Sequence, residues 1–122
     1  MASRVLVVED EPDIRDLLAF HLERDGYQVT RAATGPEALR QLRAVPPDLV
    51  ILDLMLPTVS GLIVQQEIAA HPHTRDIPIV VVTGSEMNLD DLPVPCVLRK
   101  PITPDELVNT VQYCLGSSSF RS

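Results

Sequence analysis

Four runs of apolar residues in this chain each lead to a charged or hydroxyl residue. Glu9 and Asp10 follow VLVV, Asp53 follows LVIL, Thr83 follows IVVV, and Lys100 comes shortly after PCVL. Near-continuous apolar runs are typical of parallel strands that are covered on both faces. The carboxyl ends of parallel strands meet at one edge of an open α/β sheet, so we expect these side chains to converge there. Carboxylates, a hydroxyl and an ammonium in one place predict a site for a divalent metal and a phosphoryl group.

The rest of the chain alternates between strand-like and helix-like patterns. Strands are predicted at 4–8, 27–32, 48–52, 78–82 and 94–99, and the second and the last, which are less apolar, are expected at the sheet edges. Helices are predicted at 12–25, 34–45, about 61–71 and 103–115. This alternation favours one doubly wound α/β domain with right-handed crossovers. Residues 1–116 would form the domain, and 117–122 a C-terminal tail or the start of a linker.

Local signals support the helices. Thr34 with Glu37, and Thr103 with Glu106, have the spacing of a capping box. One apolar stripe is predicted on the first helix and another on the last, each with helical spacing. Their members are Ile14, Leu17, Leu18 and Leu22 on the first helix, and Leu107, Val111, Cys114 and Leu115 on the last.

Composition limits the possible environments and partners. A length of 122 residues fits one domain, and the net charge of −7 argues against a nucleic-acid-binding surface. No stretch approaches the roughly 18 apolar residues of a membrane span. The N-terminal MASRVLVV enters a strand without a signal-peptide pattern, so a cytoplasmic location is expected. Cys96 and Cys114 lack metal-ligand spacing and are interpreted as reduced core residues.

Each polar residue at the predicted edge has a chemical reason to be there. A carboxylate such as Asp53 can attack a phosphoryl group and form an acyl phosphate. Glu9, Asp10 and Asp53 form an oxygen-rich set suited to Mg²⁺, which prefers octahedral oxygen coordination. The Lys100 ammonium and the Thr83 hydroxyl can neutralise charge on phosphoryl oxygens.

The segments VLVVEDEP, LVILDLMLPTVSG, VVVTG and LRKPITPDEL resemble the receiver domain of bacterial two-component response regulators, most closely receivers of the winged-helix transcription regulator class. The resemblance runs from about Arg4 to Leu115. It implies a flavodoxin-like five-stranded parallel sheet of order 2-1-3-4-5. It also implies that a histidine kinase or phosphotransfer protein supplies the phosphoryl group to Asp53.

The resemblance implies further details of the site. Asp10 and Asp53 would bind Mg²⁺ directly, Glu9 would bind it mostly through water, and the backbone carbonyl of Met55 would be another ligand. The Lys100-Pro101 peptide bond would be cis. The chain would then be a phosphorylatable switch and not an enzyme acting on other substrates.

Three alternatives can be weighed against the residues. A Mg²⁺-dependent aspartyl phosphatase needs a second Asp two positions after the nucleophile, where this chain has Met55. A flavin-binding relative needs a Ser-, Thr- or Gly-rich phosphate loop after the first strand, where EDEP is acidic. A pseudo-receiver that acts only as an interaction module would typically lack one of the key residues, and this chain keeps all of them.

The chain departs from the family pattern on the face associated with output. Lys100 follows Thr83 by only 17 positions. In the family pattern this spacing is longer by about one and a half helical turns. Pro93 and Pro95 restrict the crossover, which leaves 85–92 as its only helix-capable stretch. Val97 stands where the family has a switch aromatic, and 103–115 contains no Lys or Arg. We therefore expect the crossover helix to be shortened or absent, and the usual symmetric dimer not to form. Signalling would instead rest on phosphate-dependent ordering of 84–95 around Thr83, presented to a partner protein.

Overall fold

A parallel five-stranded sheet, flanked by helices on both faces, forms this protein in a computed structural model that describes residues 2–56, 59–84 and 96–119. The strands are β1 (Arg4–Val8), β2 (Gln28–Ala32), β3 (Leu49–Asp53), β4 (Ile79–Thr83) and β5 (Cys96–Arg99). The helices within these residues are α1 (Pro12–Arg24), α2 (Gly35–Ala44), α3 (Gly61–Ala70) and α4 (Pro104–Ser119). The strand order is β2-β1-β3-β4-β5, which confirms the predicted flavodoxin-like topology.

The most apolar strands occupy the middle of the sheet. Every residue of β3 and β4 is buried, whereas most residues of β2 are not. β2 and β5 are the edge strands, as their weaker apolar patterns predicted. The register pairs Leu52 with Val81 and Asp53 with Val82, so the ends of β3 and β4 lie side by side. The sheet therefore brings its strand ends to a common edge.

Alternate residues of the strands support a separate core on each face of the sheet. One core packs strand residues such as Val5 and Ile51 against α1 and α4. The other packs strand residues such as Leu6 and Leu52 against α2 and α3. Two buried cores of this kind are expected for a doubly wound fold, and they hold the shared strand edge in place.

Both predicted capping boxes form their first hydrogen bond. The backbone N–H of Glu37 donates to Thr34 Oγ1 at 3.2 Å, and that of Glu106 donates to Thr103 Oγ1 at 3.1 Å. In the first box, Glu37 also accepts a hydrogen bond from the backbone N–H of Ala33, at 3.3 Å. These contacts satisfy backbone donors that a helix N-terminus otherwise leaves unpaired.

Two details of the helices differ from the prediction. Leu17 is 54% exposed, because the face of α1 that contacts the sheet is centred on Leu18 and Leu22 and turns Leu17 away. The last helix continues through Gly116 to Ser119 and does not end near residue 115. Gly116 lacks the positive φ that terminates many helices, so it is accommodated within α4.

The prediction of two reduced cysteines is wrong: a disulfide joins Cys96 of β5 to Cys114 of α4. Both residues are buried in the core that α4 shares with the sheet. The two cysteines are 18 positions apart and lie on a strand and a helix, so no short cysteine motif in the sequence predicts that they pair. Because disulfides are rare in reducing compartments, the two cysteines no longer support a cytoplasmic location.

The predicted shortening of the crossover helix concerns residues 85–92, which lie outside the described residues. Within the described part of the chain, no helix is both long enough and apolar enough to cross a membrane.

Candidate functional site

The polar residues predicted to converge do lie together at one edge of the sheet. Glu9 directly follows β1, while Asp53 and Thr83 are the last residues of β3 and β4. All three are buried, with 1%, 3% and 0% of their surface exposed. Asp10 lies at the rim with intermediate exposure. Short polar side chains at the tips of buried strands thus line a site that is shielded on most sides.

Lys100 crosses from β5 to the acidic residues. Its Nζ lies 2.8 Å from Glu9 Oε1 and 3.2 Å from Asp53 Oδ2. Its backbone N–H donates to the carbonyl of Thr83 at 2.9 Å, which ties the end of β5 to the end of β4. The Lys100-Pro101 peptide bond is cis, as the family resemblance implied. The ammonium is therefore held between two carboxylates from two other strands.

The carboxylates of Glu9, Asp10 and Asp53 are close enough to share one ion. Each offers an oxygen, and these atoms lie within 4.8 Å of one another. Two carboxylates about 4 Å apart repel by about 4 kcal/mol at an effective dielectric constant near 20. Lys100 supplies only one compensating charge to the three. An all-oxygen donor set with surplus negative charge fits Mg²⁺.

Met55 contributes to the site through its backbone. Its N–H donates to Asp53 Oδ1 at 2.9 Å, so each oxygen of Asp53 has a defined partner. Its carbonyl accepts no hydrogen bond from the described residues, which is compatible with the implied role as a metal ligand. Its side chain is 64% exposed.

Burial and neighbouring charges shift the ionisation of the buried pair. Burial, followed by the adjacent Asp53 carboxylate, raises the pKa of Glu9 from 4.5 to about 7, although Lys100 acts in the opposite direction. Burial alone would lower the pKa of Lys100, but contacts with Glu9 and Asp53 outweigh it and raise that pKa. Lys100 therefore stays charged at neutral pH, while metal-free Glu9 titrates near neutrality.

Val97, which occupies the place of the family's switch aromatic, pairs with Val81 in the sheet and packs partly buried against the α2 and α3 core. There is consequently no aromatic ring at this position to rotate. The predicted ordering of 84–95 concerns residues that, apart from Gly84, lie outside the described part of the chain.

Two residues that the sequence patterns did not single out also contact the site. The Arg15 guanidinium donates to the backbone carbonyl of Glu9 at 3.1 Å. Gly61, at the start of α3, packs so closely that a Cβ there would lie 2.4 Å from the carbonyl oxygen of Asp53. The only sequence signal at Gly61 was its position, directly after Ser60, which caps the N-terminus of α3. Arg15 gave none, because surface arginines are common on helices.

Comparison with known families decides the classification. The response regulator receiver domain matches residues 5–112 of the chain. The chain belongs to the response regulator receiver family. As such, it is a receiver domain of two-component signalling, in agreement with the resemblance noted in its motifs.

The similar proteins include transcriptional regulators. The phosphate regulon transcriptional regulatory protein PhoB of Escherichia coli K12 is 38% identical over an alignment 122 positions long. The alignment covers 92% of this chain and 51% of PhoB. The alkaline phosphatase synthesis transcriptional regulatory protein PhoP of Bacillus subtilis is 34% identical over an alignment 127 positions long. The alignment covers all of this chain and 52% of PhoP. The receiver therefore spans about half the length of the curated relatives it matches.

Solved structures show the same fold. A putative response regulator from Chloroflexus aurantiacus superimposes with a TM-score of 0.88 at 31% identity, covering 95% of this chain and 99% of that one. A CheY-like receiver from Methanospirillum hungatei gives a TM-score of 0.91 at 24% identity over the full length of both chains, a likeness in fold alone.

Proposed function

We propose that this receiver is a phosphorylatable switch in which Asp53 accepts a phosphoryl group from a phosphohistidine of a sensor histidine kinase or phosphotransfer protein. The observation that carries the proposal is the arrangement around Asp53. The carboxylate is buried, one oxygen accepts from the Met55 N–H, and the other lies 3.2 Å from the Lys100 ammonium. A buried nucleophile oriented on both oxygens beside a fixed cation suits phosphoryl transfer, which depends mainly on positioning and charge neutralisation.

In the proposed transfer, a carboxylate oxygen of Asp53 attacks the phosphorus atom. A new O–P bond forms an acyl phosphate, while the N–P bond of the phosphohistidine breaks and its electron pair returns to the imidazole. The Lys100 ammonium neutralises negative charge on the transferred group. The Thr83 hydroxyl, at the end of the adjacent strand, donates to a phosphoryl oxygen.

Mg²⁺ fits the donor set at this edge of the sheet. Asp10 and Asp53 would hold it directly, Glu9 mostly through water, and the carbonyl of Met55 would complete the protein ligands. When bound, the ion supplies positive charge that neutralises the phosphoryl oxygens.

The chain would not act as an enzyme on other substrates. Its chemistry would be limited to its own phosphorylation and a slow hydrolysis of the acyl phosphate. Positions 55 and 85, which flank the path of an attacking water in the family, are Met55 and Ser85 here. Neither side chain is a strong base, so we expect the phosphorylated form to be long-lived.

The output would be a protein partner or an output domain and not nucleic acid bound by the receiver itself. Val97 provides no ring to couple to Thr83, and α4 lacks basic residues over 104–115 for the symmetric dimer of the winged-helix class. Signalling would instead follow from ordering of 84–95 around the phosphorylated site. A cytoplasmic location is proposed because the ATP that charges a histidine kinase is found there.

Intact-mass spectrometry tests the proposed phosphorylation. Incubation with acetyl phosphate and Mg²⁺ should add one phosphate to the wild-type protein and none to Asp53→Asn. Asp76→Asn, which removes an exposed carboxylate away from the site, should be labelled like the wild type. An unlabelled wild-type protein would favour the pseudo-receiver alternative, and full labelling of Asp53→Asn would place the phosphoacceptor elsewhere.

A further inference from the structure

Arg15 connects the first helix to the acidic end of β1. It lies in the second turn of α1, where its backbone N–H donates to the carbonyl of Glu11 at 2.9 Å. Helical side chains lean toward the N-terminus of their helix, so a long side chain in this turn can reach residues that precede the helix. Nη1 of Arg15 donates to the backbone carbonyl of Glu9 at 3.1 Å.

That carbonyl belongs to the peptide unit that joins Glu9 to Asp10. On the other side of Glu9, the backbone N–H donates to the carbonyl of Ala32 at 3.0 Å. The edge strand β2 thus fixes the peptide before Glu9, and Arg15 fixes the peptide after it. Among the described residues, the Arg15 guanidinium is the only side chain that binds this second peptide.

The orientation of this peptide matters most for Asp10. The carboxylates of Glu9 and Asp53 are both held by Lys100. The Asp10 carboxylate makes no hydrogen bond or ion pair within the described part of the chain, so its direction follows from its backbone. The contact from Arg15 therefore acts on the one carboxylate of the three that no other described side chain holds in place.

We propose that Arg15 is a positioning residue for the candidate magnesium site, acting through the Glu9–Asp10 peptide to direct the Asp10 carboxylate toward the ion. The proposal rests on the proposed function, because it assumes that these carboxylates bind Mg²⁺. Residues that orient metal ligands commonly change metal affinity by 10- to 100-fold when they are replaced.

The positive charge of Arg15 provides a way to test the positioning role. Arg15 forms no salt bridge with a carboxylate of the described residues, so its charge repels a cation bound nearby. If Arg15 acted only as a charge, its removal would strengthen Mg²⁺ binding. If it positions Asp10, its removal weakens binding despite the lost repulsion. The two roles thus predict changes of opposite sign.

Isothermal titration of Mg²⁺ into the metal-free full chain measures this sign directly. Arg15→Met should weaken binding by about ten-fold. Arg15→Lys keeps the charge, but its ammonium lies one bond nearer the backbone than the Nη1 that donates to Glu9, so this variant should also bind Mg²⁺ more weakly than the wild type. Arg40→Met removes an exposed arginine of α2, away from the site, and should leave the affinity within about two-fold of wild type.

Circular dichroism and melting in EDTA establish that each variant is folded. If Arg15→Met does not fold, Arg15→Lys decides the question, because a charge role predicts wild-type affinity for it. Equal or tighter Mg²⁺ binding by a folded Arg15→Met, or wild-type affinity of Arg15→Lys, would overturn the positioning role while leaving the proposed function intact. A wild-type protein that does not bind Mg²⁺ would overturn both.

Discussion

Gly61→Ala tests how tightly the backbone of Asp53, the proposed phosphoacceptor, is packed. A Cβ at this position would lie 2.4 Å from the carbonyl oxygen of Asp53 and 2.5 Å from the Cα of Leu54. Because favourable contacts between heavy atoms lie near 3.5–4.0 Å, the end of β3 or the start of α3 has to move by about 1 Å. Both neighbours are backbone atoms, so rotation of a side chain cannot relieve the overlap.

Overpacking of this kind typically costs about 1–3 kcal/mol. For a domain of this size, 1 kcal/mol corresponds to a change in Tm of about 4 °C, so we expect Tm to fall by about 4–12 °C. Differential scanning calorimetry in EDTA measures this without any contribution from metal. The displaced backbone carries Asp53, so labelling by acetyl phosphate should also slow.

Gly116→Ala is the matched control. A Cβ there has no neighbour within 4 Å, and alanine favours helix over glycine by up to about 1 kcal/mol. Its Tm should stay the same or rise by a few degrees. The packing argument is wrong if Gly61→Ala melts and is labelled like the wild type, or if both alanine variants lose stability to the same extent.

Three further predictions concern the ionic groups and the phosphorylated form. Mg²⁺ at ten times its Kd should stabilise the wild type by about 1.4 kcal/mol, and Asp10→Asn should lose most of this gain in a thermal-shift titration. The pKa of Glu9 is about 7 in the folded protein, against an ordinary value of 4.5, so folding favours the protonated carboxyl. The contribution of Glu9 to the free energy of unfolding of the metal-free protein should therefore be greatest below about pH 4.5 and fall by up to about 3 kcal/mol toward pH 7. Chemical denaturation should show a smaller pH dependence for Glu9→Gln, and an identical slope would exclude this assignment. The acyl phosphate should persist for minutes to hours, as followed by intact mass after removal of the phosphodonor, and a half-life of a few seconds would contradict the weak roles given to Met55 and Ser85.

The sequence predicted the sheet well because each strand carries its own signal. The apolar runs before Asp53 and Thr83 are near-continuous since both faces of β3 and β4 are buried, and the polar residue that follows marks the exit from the core. Parallel pairing then brings those exits together without further information. Capping residues such as Thr34 were predictable for the same reason, since they act on atoms only three positions away.

The features that were missed depend on contacts between distant segments or on the packing of a single face. The disulfide between Cys96 and Cys114 forms only because α4 lies on β5. The close approach of Gly61 to Asp53 depends on how the chain turns back after β3. The exposure of Leu17 depends on which side of α1 meets the sheet. None of these follows from periodicity within one element.

The contact between Lys100 and Glu9 joins residues 91 positions apart in the chain. Asp53 lies about midway and bonds to the same ammonium across 47 positions. A growing polypeptide therefore carries Asp53, the proposed phosphoacceptor, and both acidic neighbours long before it carries the cation that completes the set. If Asp53 accepts a phosphoryl group as proposed, a chain that ends before β5 lacks the ammonium that would neutralise that group. Prematurely terminated chains should therefore be labelled by a phosphodonor more slowly than finished receivers.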